Sequence, residues 1–341
     1  MLQVEILQLF HELDLFVRAQ WRIASPMTIT NDVFYGVNGQ KGTLAMTSLP
    51  TQTCLTRRSL MGGAIATSIP TATTLFVPGW AVAAQPSLNL TNNKDLMTAI
   101  MKIRGSTDNN LVFGYLIGNY YGVVNNRIKP LFGLLASVFS RYHKIDDYTY
   151  GSASFEVAYF TDWDTGELLE TFNNPYTGEL VDVPQTRMGP SSGIYTTKGR
   201  LFDAENPVLV GREISHRFLP LRVQNNSVWL VEETSVGTPE GAPGTSFVYN
   251  EVTTRETTLS DLNDPTQASA PISVHFTGIV TWRPWLKMGG HPGHMHGDGT
   301  GRRVNGWDDM PPKYVELTKI HHPDVYKDAN GILDQVASSD E

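Results

Sequence analysis

The feature that most constrains the fold lies between residues 111 and 285, where strand-forming runs alternate with turn-forming clusters and no helical periodicity interrupts them. The runs are rich in Val, Tyr, Phe and Thr, and the clusters in Gly, Asn, Asp and Pro. Eight to ten consecutive strands without intervening helices argue against a parallel α/β sheet, whose strands need long crossover connections. Strands are predicted near 111–124, 131–142, 152–161, 167–172, 179–185, 193–201, 209–221, 227–234, 246–258 and 272–284.

This pattern predicts a mainly β fold, either an antiparallel β-barrel of the calycin or lipocalin kind or a β-sandwich. Barrel closure removes unpaired strand edges, and a barrel of this strand number holds one small ligand. A short N-terminal helix is predicted over Asn93–Arg104, where Leu96, Ile100 and Ile103 follow helical spacing. A C-terminal helix is predicted over residues 312–326.

Composition excludes several classes of protein. Lys and Arg number 26 against 34 Asp and Glu, and this net charge of −8 argues against a nucleic-acid partner, which a basic patch would attract. A single cysteine, Cys54, rules out a disulfide framework and a zinc site made only of cysteines. A hydrophobic fraction of 40% is too high for a disordered chain.

Residues 46–83 are predicted to form a twin-arginine (Tat) signal peptide. Arg57 and Arg58 precede an uncharged run, and Ala81-Val82-Ala83 supplies small residues where a signal peptidase cuts. The alternative is a transmembrane anchor, but prolines interrupt the run. Cleavage would leave 84–341 as a single β-rich domain without a stable membrane anchor. The Tat translocase would be its export partner, and its location periplasmic or secreted.

Residues 1–45 are interpreted as an upstream segment that a mistaken start site adds to the chain. Met46 stands ten residues before the twin-arginine motif, an ordinary distance for a signal peptide. The alternative is a genuine amphipathic helix over residues 4–17. Because Cys54 lies within the signal, the exported chain would contain no cysteine.

Two turns twelve residues apart share the Thr-Gly-Glu sequence, at 162–167 (DWDTGE) and 174–179 (NPYTGE), and glycine supplies the positive φ that each requires. The stretch 156–183, which contains both turns, resembles the family named domain of unknown function 1838, as do KIRGS at 102–106 and WRPWLKMGGHPG at 282–293. The resemblance spans about residues 95–330. It implies a single exported β-rich domain, often with a Tat signal in bacteria, and supplies no activity, substrate or catalytic residues.

Three histidines and a carboxylate lie within eight residues: His291, His294, His296 and Asp298. Imidazole and carboxylate groups bind transition metals, so one hypothesis is a metal site, for example for zinc. The intervening glycines indicate a loop. The alternative interpretation is a solvated loop that joins the last strand to the C-terminal helix.

A second hypothesis rests on strand alternation, which puts polar side chains on shared faces. If these faces point into a barrel, His216 or His275 beside Glu251 would make a general acid–base pair, and Arg283 would meet an anionic group. The alternative is that the same faces form the solvated exterior.

Aromatic side chains are dense enough to line a ligand cavity, although core packing explains most of them equally well. The predicted ligand-binding residues are Tyr115, Trp229, Tyr249, Trp282 and Trp285. The last two flank Arg283 and Pro284 and are expected to close a barrel mouth.

Three functions follow from these observations. The first is an exported barrel that binds a small apolar or aromatic molecule and transforms it without a cofactor. The second is a metal-dependent enzyme that uses His291, His294 and His296, and the third is a non-catalytic periplasmic binding module. The sequence contains no Gly-x-Ser-x-Gly elbow and no phosphate-binding loop of the Walker or dinucleotide type.

Overall fold

Strands dominate the part of the chain that the computed structural model describes, which comprises residues 87–202, 212–238 and 247–337. The helices are α1 (Asn93–Arg104), α2 (Leu259–Asn263), α3 (Pro312–His321) and α4 (Pro323–Ala337). The strands are β1 (Val112–Val124), β2 (Arg127–Lys144), β3 (Tyr150–Thr161), β4 (Thr171–Asn173), β5 (Leu180–Asp182), β6 (Thr186–Thr196), β7 (Gly199–Phe202), β8 (Glu213–Phe218), β9 (Arg222–Gln224), β10 (Ser227–Gly237), β11 (Val248–Thr258), β12 (Ser273–Val280) and β13 (His294–Val304). Short 3₁₀ turns span Pro284–Leu286 and Trp307–Asp309.

The strands form a nearly closed antiparallel barrel. The sheet runs in the order β7-β6-β3-β2-β1-β13-β12-β11-β10-β8, and β9 pairs with β10. Its two ends approach each other, because the Phe218 amide donates to the Lys198 carbonyl at 2.9 Å and the Arg200 amide donates to His216 Nδ1 at 3.0 Å. The predicted mainly β fold is therefore confirmed in its barrel form.

Helix α1 plugs one end of the barrel. Asn92 caps it by accepting a hydrogen bond from the Lys94 amide, as the sequence predicts for a helix that starts here. Met97, Ile100 and Met101 are fully buried against side chains from both sides of the barrel wall. A helix that is buried on most of its circumference belongs to an interior rather than a surface.

Helices α3 and α4 cover the outside of β2 and β3. In β3, odd-numbered residues such as Phe155 and Tyr159 pack against these helices, whereas even-numbered residues point into the barrel. The Tyr314 hydroxyl of α3 donates to the Val157 carbonyl at 3.2 Å. Because both faces of β3 are covered, it is buried along nearly its whole length.

The prediction that residues around 291–298 form a loop is wrong from His294 onward. These residues start β13, which pairs with β1 on one side and β12 on the other. Its inward positions include Gly297 and Gly299, where a Cβ atom would lie 2.8 Å from the Tyr120 ring and 2.5 Å from the Phe276 ring. Glycine is therefore needed here by interior packing, and its usual association with loops misleads.

Several other predictions agree with the structure, although the single strand predicted at 193–201 is the hairpin of β6 and β7. Helix α1 has the predicted bounds, while the predicted C-terminal helix is two helices that separate at His322. The predicted strand at 209–221 is confirmed over Glu213–Phe218. The expected signal peptide and upstream segment, 1–83, lie outside the described residues. Within those described, no helix is long and apolar enough to cross a membrane.

Candidate functional site

The barrel interior carries a polar group of side chains at the end opposite α1, which we name the acid cluster. Strand alternation turns Glu156 of β3 and Glu251 of β11 toward the interior, with Tyr120 of β1 and Tyr249 of β11. Arg283 joins them from the segment that follows β12. The acid cluster thus consists of Glu156, Glu251, Tyr120, Tyr249 and Arg283.

Glu156 is the centre of this cluster. Burial raises its pKa, the negative charge of Glu251 raises it further, and the positive charge of Arg283 offsets part of this increase, so that the pKa reaches about 7. Within the described chain its carboxyl group has no hydrogen-bond or ion-pair partner. A carboxyl group of this kind exists in both protonation states near neutral pH.

Glu251 is held in place by its own strand. The Tyr249 hydroxyl donates to Oε2, and the Thr253 hydroxyl donates to Oε1 at 2.5 Å. Burial, followed by the charge of Glu251, raises the pKa of Tyr249 well above its ordinary value, so this hydroxyl stays a proton donor. Glu251 also borders a hollow of about 600 Å³ on the outer face of the sheet, which outward residues such as Arg217, Glu233 and His296 line.

An aromatic layer covers the acid cluster. The Trp285 ring lies 5.4 Å from that of Phe132 and 5.7 Å from that of Phe160, and the Arg283 guanidinium lies 6.0 Å from the Phe160 ring. The segment is anchored by Asn174, whose side-chain amide donates to the Leu286 carbonyl at 2.7 Å. The repeated turn motif thus fixes the position of Trp285.

The three charges of the acid cluster influence one another without touching. Within the described chain, no ion pair of 4.0 Å or less joins Glu156, Glu251 or Arg283 to an opposite charge. Arg283 Nε is buried and has no hydrogen-bond partner in the part of the chain that the structure describes. Glu156, Glu251 and Arg283 each keep partial exposure although they lie in the interior. The three groups are therefore coupled through their charges and not through direct contact.

A second buried carboxylate, Glu232 of β10, lies nearer α1 in a different setting. Arg104 Nε and Arg255 Nε lie 3.3 and 3.1 Å from its oxygens, and His216 Nε2 lies at 3.3 Å. Burial opposes ionisation, but these partners overcome it and lower the pKa of Glu232 to about 2. This group, the Glu232 cluster, comprises Glu232, Arg104, Arg255 and His216.

The predicted acid–base pairs do not form as the sequence suggested. His216 points inward but bonds Glu232 rather than Glu251. His275 lies on the outer face, is about half exposed (48%), and bonds Asp298 with Nε2 at 3.0 Å. Of the predicted catalytic residues, the structure brings only Glu251 and Arg283 together.

The predicted aromatic ligand-binding residues are likewise divided between the interior and the outer face of the barrel. Tyr249, Trp282 and Trp285 lie at the acid-cluster end of the interior. Tyr115 packs in the outer layer beneath Arg302, and Trp229 lies on the outer face of β10, opposite Glu256 of β11.

The four predicted metal ligands do not converge. His291 lies in the turn before β13 with its ring 5.2 Å from that of Tyr176, while His294, His296 and Asp298 take alternate positions along the outer face of β13. His296 bonds the Thr277 hydroxyl at 2.9 Å. Among the residues whose positions are described, no three His, Cys, Asp or Glu side chains are arranged to hold a metal ion.

Sequence reasoning missed Glu156 and Glu232. Glu156 is the only charged residue in β3, between Ser154 and Ala158 on the inward face of an otherwise uncharged strand. An isolated charge in a buried strand destabilises the fold. Its presence in an otherwise uncharged strand is therefore a sequence signal that could have identified Glu156 as a functional residue. Glu232 gave no such signal, because Glu233 follows it and strand alternation does not show which of the two points inward.

The comparison with known families agrees with the motifs and the fold. The family model described as "Protein of unknown function (DUF1838)" matches residues 111–339, which include β1 to β13 and both C-terminal helices. A search of curated proteins found no match. The chain belongs to the family described as Protein of unknown function (DUF1838).

Proposed function

We propose that the barrel binds a small, largely apolar or aromatic molecule at the acid cluster and that Glu156 exchanges a proton with it. The carrying observation is a carboxyl group inside the barrel, with a pKa of about 7 and without a protein partner within the described chain. Interior carboxyl groups that remain unpaired are costly and are therefore characteristic of functional sites.

The neighbouring groups support this role. A protonated Glu156 donates a proton to the bound molecule, and an ionised Glu156 removes one, without any cofactor. Arg283 stabilises negative charge that develops on the molecule, and the Tyr120 and Tyr249 hydroxyls add hydrogen-bond donors. The surrounding aromatic rings of Phe160 and Trp285 exclude water and contribute apolar contact area.

The test uses N-phenyl-1-naphthylamine, a neutral aromatic probe that fluoresces in apolar surroundings. We expect saturable binding of about one probe per chain, which weakens as the pH rises through 7, since ionised Glu156 disfavours an apolar neighbour. E156Q should bind the probe without this pH dependence. The exposed variant E233Q is the matched control and should retain it.

Two results would overturn the proposal: no saturable binding by the wild-type protein, or an unchanged pH dependence in E156Q. A non-catalytic binding module is the alternative function that shares this site. Once a displacing ligand is found, incubation in D₂O separates the two functions, because a catalytic Glu156 would introduce deuterium at a carbon atom of the ligand that does not exchange without the protein or with E156Q.

Export through the Tat translocase to the periplasm or outside the cell is a further part of the proposal, supported by Arg57, Arg58 and the small residues at 81–83. Changing both arginines to lysine should retain the full-length chain in the cytoplasm. Equal amounts of exported, shortened protein from both versions would contradict this route.

A further inference from the structure

Three serines form a row across the interior wall of the barrel. Ser140 of β2 lies opposite Ser154 of β3, and Ser154 lies opposite Ser191 of β6. Directly opposed residues of neighbouring strands point to the same side of a sheet, and this side is the interior that also contains Tyr142 and Tyr195. We call Ser140, Ser154 and Ser191 the serine row.

The serine row leads to the guanidinium group of Arg200 on β7. Arg200 Nη2 donates to the Ser192 carbonyl at 3.0 Å and to Ser191 Oγ at 3.4 Å. Its guanidinium carbon lies 5.8 Å from the centre of the Tyr195 ring. Gly193 makes this position accessible, because a Cβ atom there would lie 2.5 Å from Arg200 Nε.

Two polar groups in or near the serine row make no hydrogen bond to the described residues. Ser140 is 3% exposed, and among the described residues neither its hydroxyl nor the buried Arg200 Nε has a hydrogen-bond partner. Arg200 has no carboxylate within 4.0 Å among the described residues. Buried hydroxyl and guanidinium groups that lack partners in the protein are suited to a ligand that supplies acceptor atoms.

The excess of positive charge in this half of the interior favours a negatively charged ligand. Arg104, Arg200, Arg255 and Arg303 all lie here, and in the described chain Glu232 is the one carboxylate that forms ion pairs with any of them. The acid cluster at the other end has the opposite character. The interior is therefore polarised along its length.

We propose that the serine row and Arg200 form a subsite for a carboxylate, and that the ligand of this barrel is an aromatic or apolar monocarboxylic acid. Ser154 and Glu156 are successive inward residues of β3, about 7 Å apart. The carboxylate of such a ligand would bond the serine row and Arg200, and its apolar body would extend along β3 toward Glu156. The inference rests on the proposed function and specifies the substrate class of the same interior.

The experiment compares 2-naphthoate with 2-naphthalenemethanol, which has the same rings but no charge, at pH 6, where Glu156 is largely protonated. We expect wild-type protein to bind the carboxylate at least about tenfold more tightly, since charge-assisted hydrogen bonds to guanidinium are strong. R200M should abolish this preference and leave the affinity for the alcohol unchanged. R222M, which removes an exposed arginine of β9, should retain the preference.

S140A is a variant that should fold, because the Ser140 hydroxyl bonds none of the residues that the structure describes. It should weaken 2-naphthoate binding several-fold with no effect on the alcohol. Equal affinity of the wild-type protein for the two compounds, or a preference that survives in R200M, would overturn the subsite. If N-phenyl-1-naphthylamine binds with the expected pH dependence while the carboxylate shows no preference, only this inference fails. If no probe binds, the proposed function fails as well.

Discussion

Two buried carboxyl groups in one barrel have opposite properties. Glu232 lies among Arg104, Arg255 and His216, and its pKa falls to about 2; Glu156 lies beside another carboxylate, and its pKa rises to about 7. Both lie in the barrel interior, where burial raises the pKa of a carboxyl group, so burial alone does not decide the outcome. The positive charges of Arg104 and Arg255 stabilise the ionised form of Glu232, whereas the negative charge of Glu251 destabilises the ionised form of Glu156.

The comparison separates a structural group from a functional one. The ion pairs of Glu232 tie α1 to β10 and β11, and they satisfy a charge that the protein keeps permanently ionised. Glu156 has no such partner in the described chain and adds nothing to stability when ionised. A protein retains such a group when the group acts on something that enters the barrel.

The largest expected effect is that of removing the charge of Glu232. E232Q leaves Arg104 and Arg255 buried without a counter-charge, and breaking a buried ion pair costs about 3–5 kcal/mol. Urea unfolding at pH 7 measures the loss. E233Q changes the adjacent, outward carboxylate, which pairs with Arg217 at the surface, and should cost about 0.5 kcal/mol or less. Equal effects of the two variants would contradict the structural role of Glu232.

E156Q should stabilise the protein above neutral pH, whereas E232Q destabilises it. Because the folded-state pKa of Glu156 is raised from 4.5 to about 7, stability is lost as the pH rises between these values and stays low above them. At 1.36 kcal/mol per tenfold change in proton affinity the loss is about 3 kcal/mol. E156Q should therefore be more stable than wild type at pH 8 and equal to it at pH 4, as thermal unfolding at each pH will show.

The loss of folding stability at acid pH should be due mainly to protonation of Glu232. Its pKa is lowered in the folded state, so its contribution is complete above pH 4.5 and is lost as the pH falls toward 2. This loss is also about 3 kcal/mol. Wild-type protein should show it in acid unfolding, and E232Q should lose stability less steeply between pH 4.5 and 2. If the wild type and E232Q lose stability equally steeply between pH 4.5 and 2, groups other than Glu232 cause acid unfolding.

A smaller effect is expected where the aromatic layer is anchored. N174A removes the donor to the Leu286 carbonyl and leaves that acceptor buried without a partner, which costs about 1–3 kcal/mol. Tryptophan fluorescence should shift as Trp285 loses its fixed position. N173A, at the exposed neighbouring position, is the control and should change neither quantity.

The smallest effect should be that of S140A, which is expected to change stability by about 0.5 kcal/mol or less. Replacing a buried hydroxyl that makes no hydrogen bond removes an unsatisfied polar group at the cost of one small contact. Destabilisation of 2 kcal/mol or more in urea unfolding would mean that the hydroxyl already has a partner in the folded protein.

The sequence predicted the barrel and helix α1 well because strand alternation and helix periodicity are local signals. It failed at β13, where glycines that accommodate Tyr120 and Phe276 resemble loop glycines. That failure also produced the metal hypothesis, since His294, His296 and Asp298 share a strand face, on which His296 bonds Thr277 and Asp298 bonds His275 of β12.

The site was predicted only in part for a related reason. Alternation shows which residues share a face, and it does not show which face points inward. The shared faces of β8 and β11 point into the barrel, whereas that of β12 points out, so Glu251 was placed correctly among interior candidates and His275 was not. The partners of a buried charge come from distant strands, and no local pattern reveals them.

The most direct test of the central claim is the titration of the two carboxyl groups themselves, by NMR of the side-chain carboxyl carbons in protein labelled with ¹³C-glutamate. E156Q and E232Q identify the two signals. We expect Glu156 to titrate near pH 7 and at lower pH in E251Q, while Glu232 stays ionised down to about pH 2. A Glu156 signal that titrates near 4.5 and does not respond to E251Q would contradict this expectation.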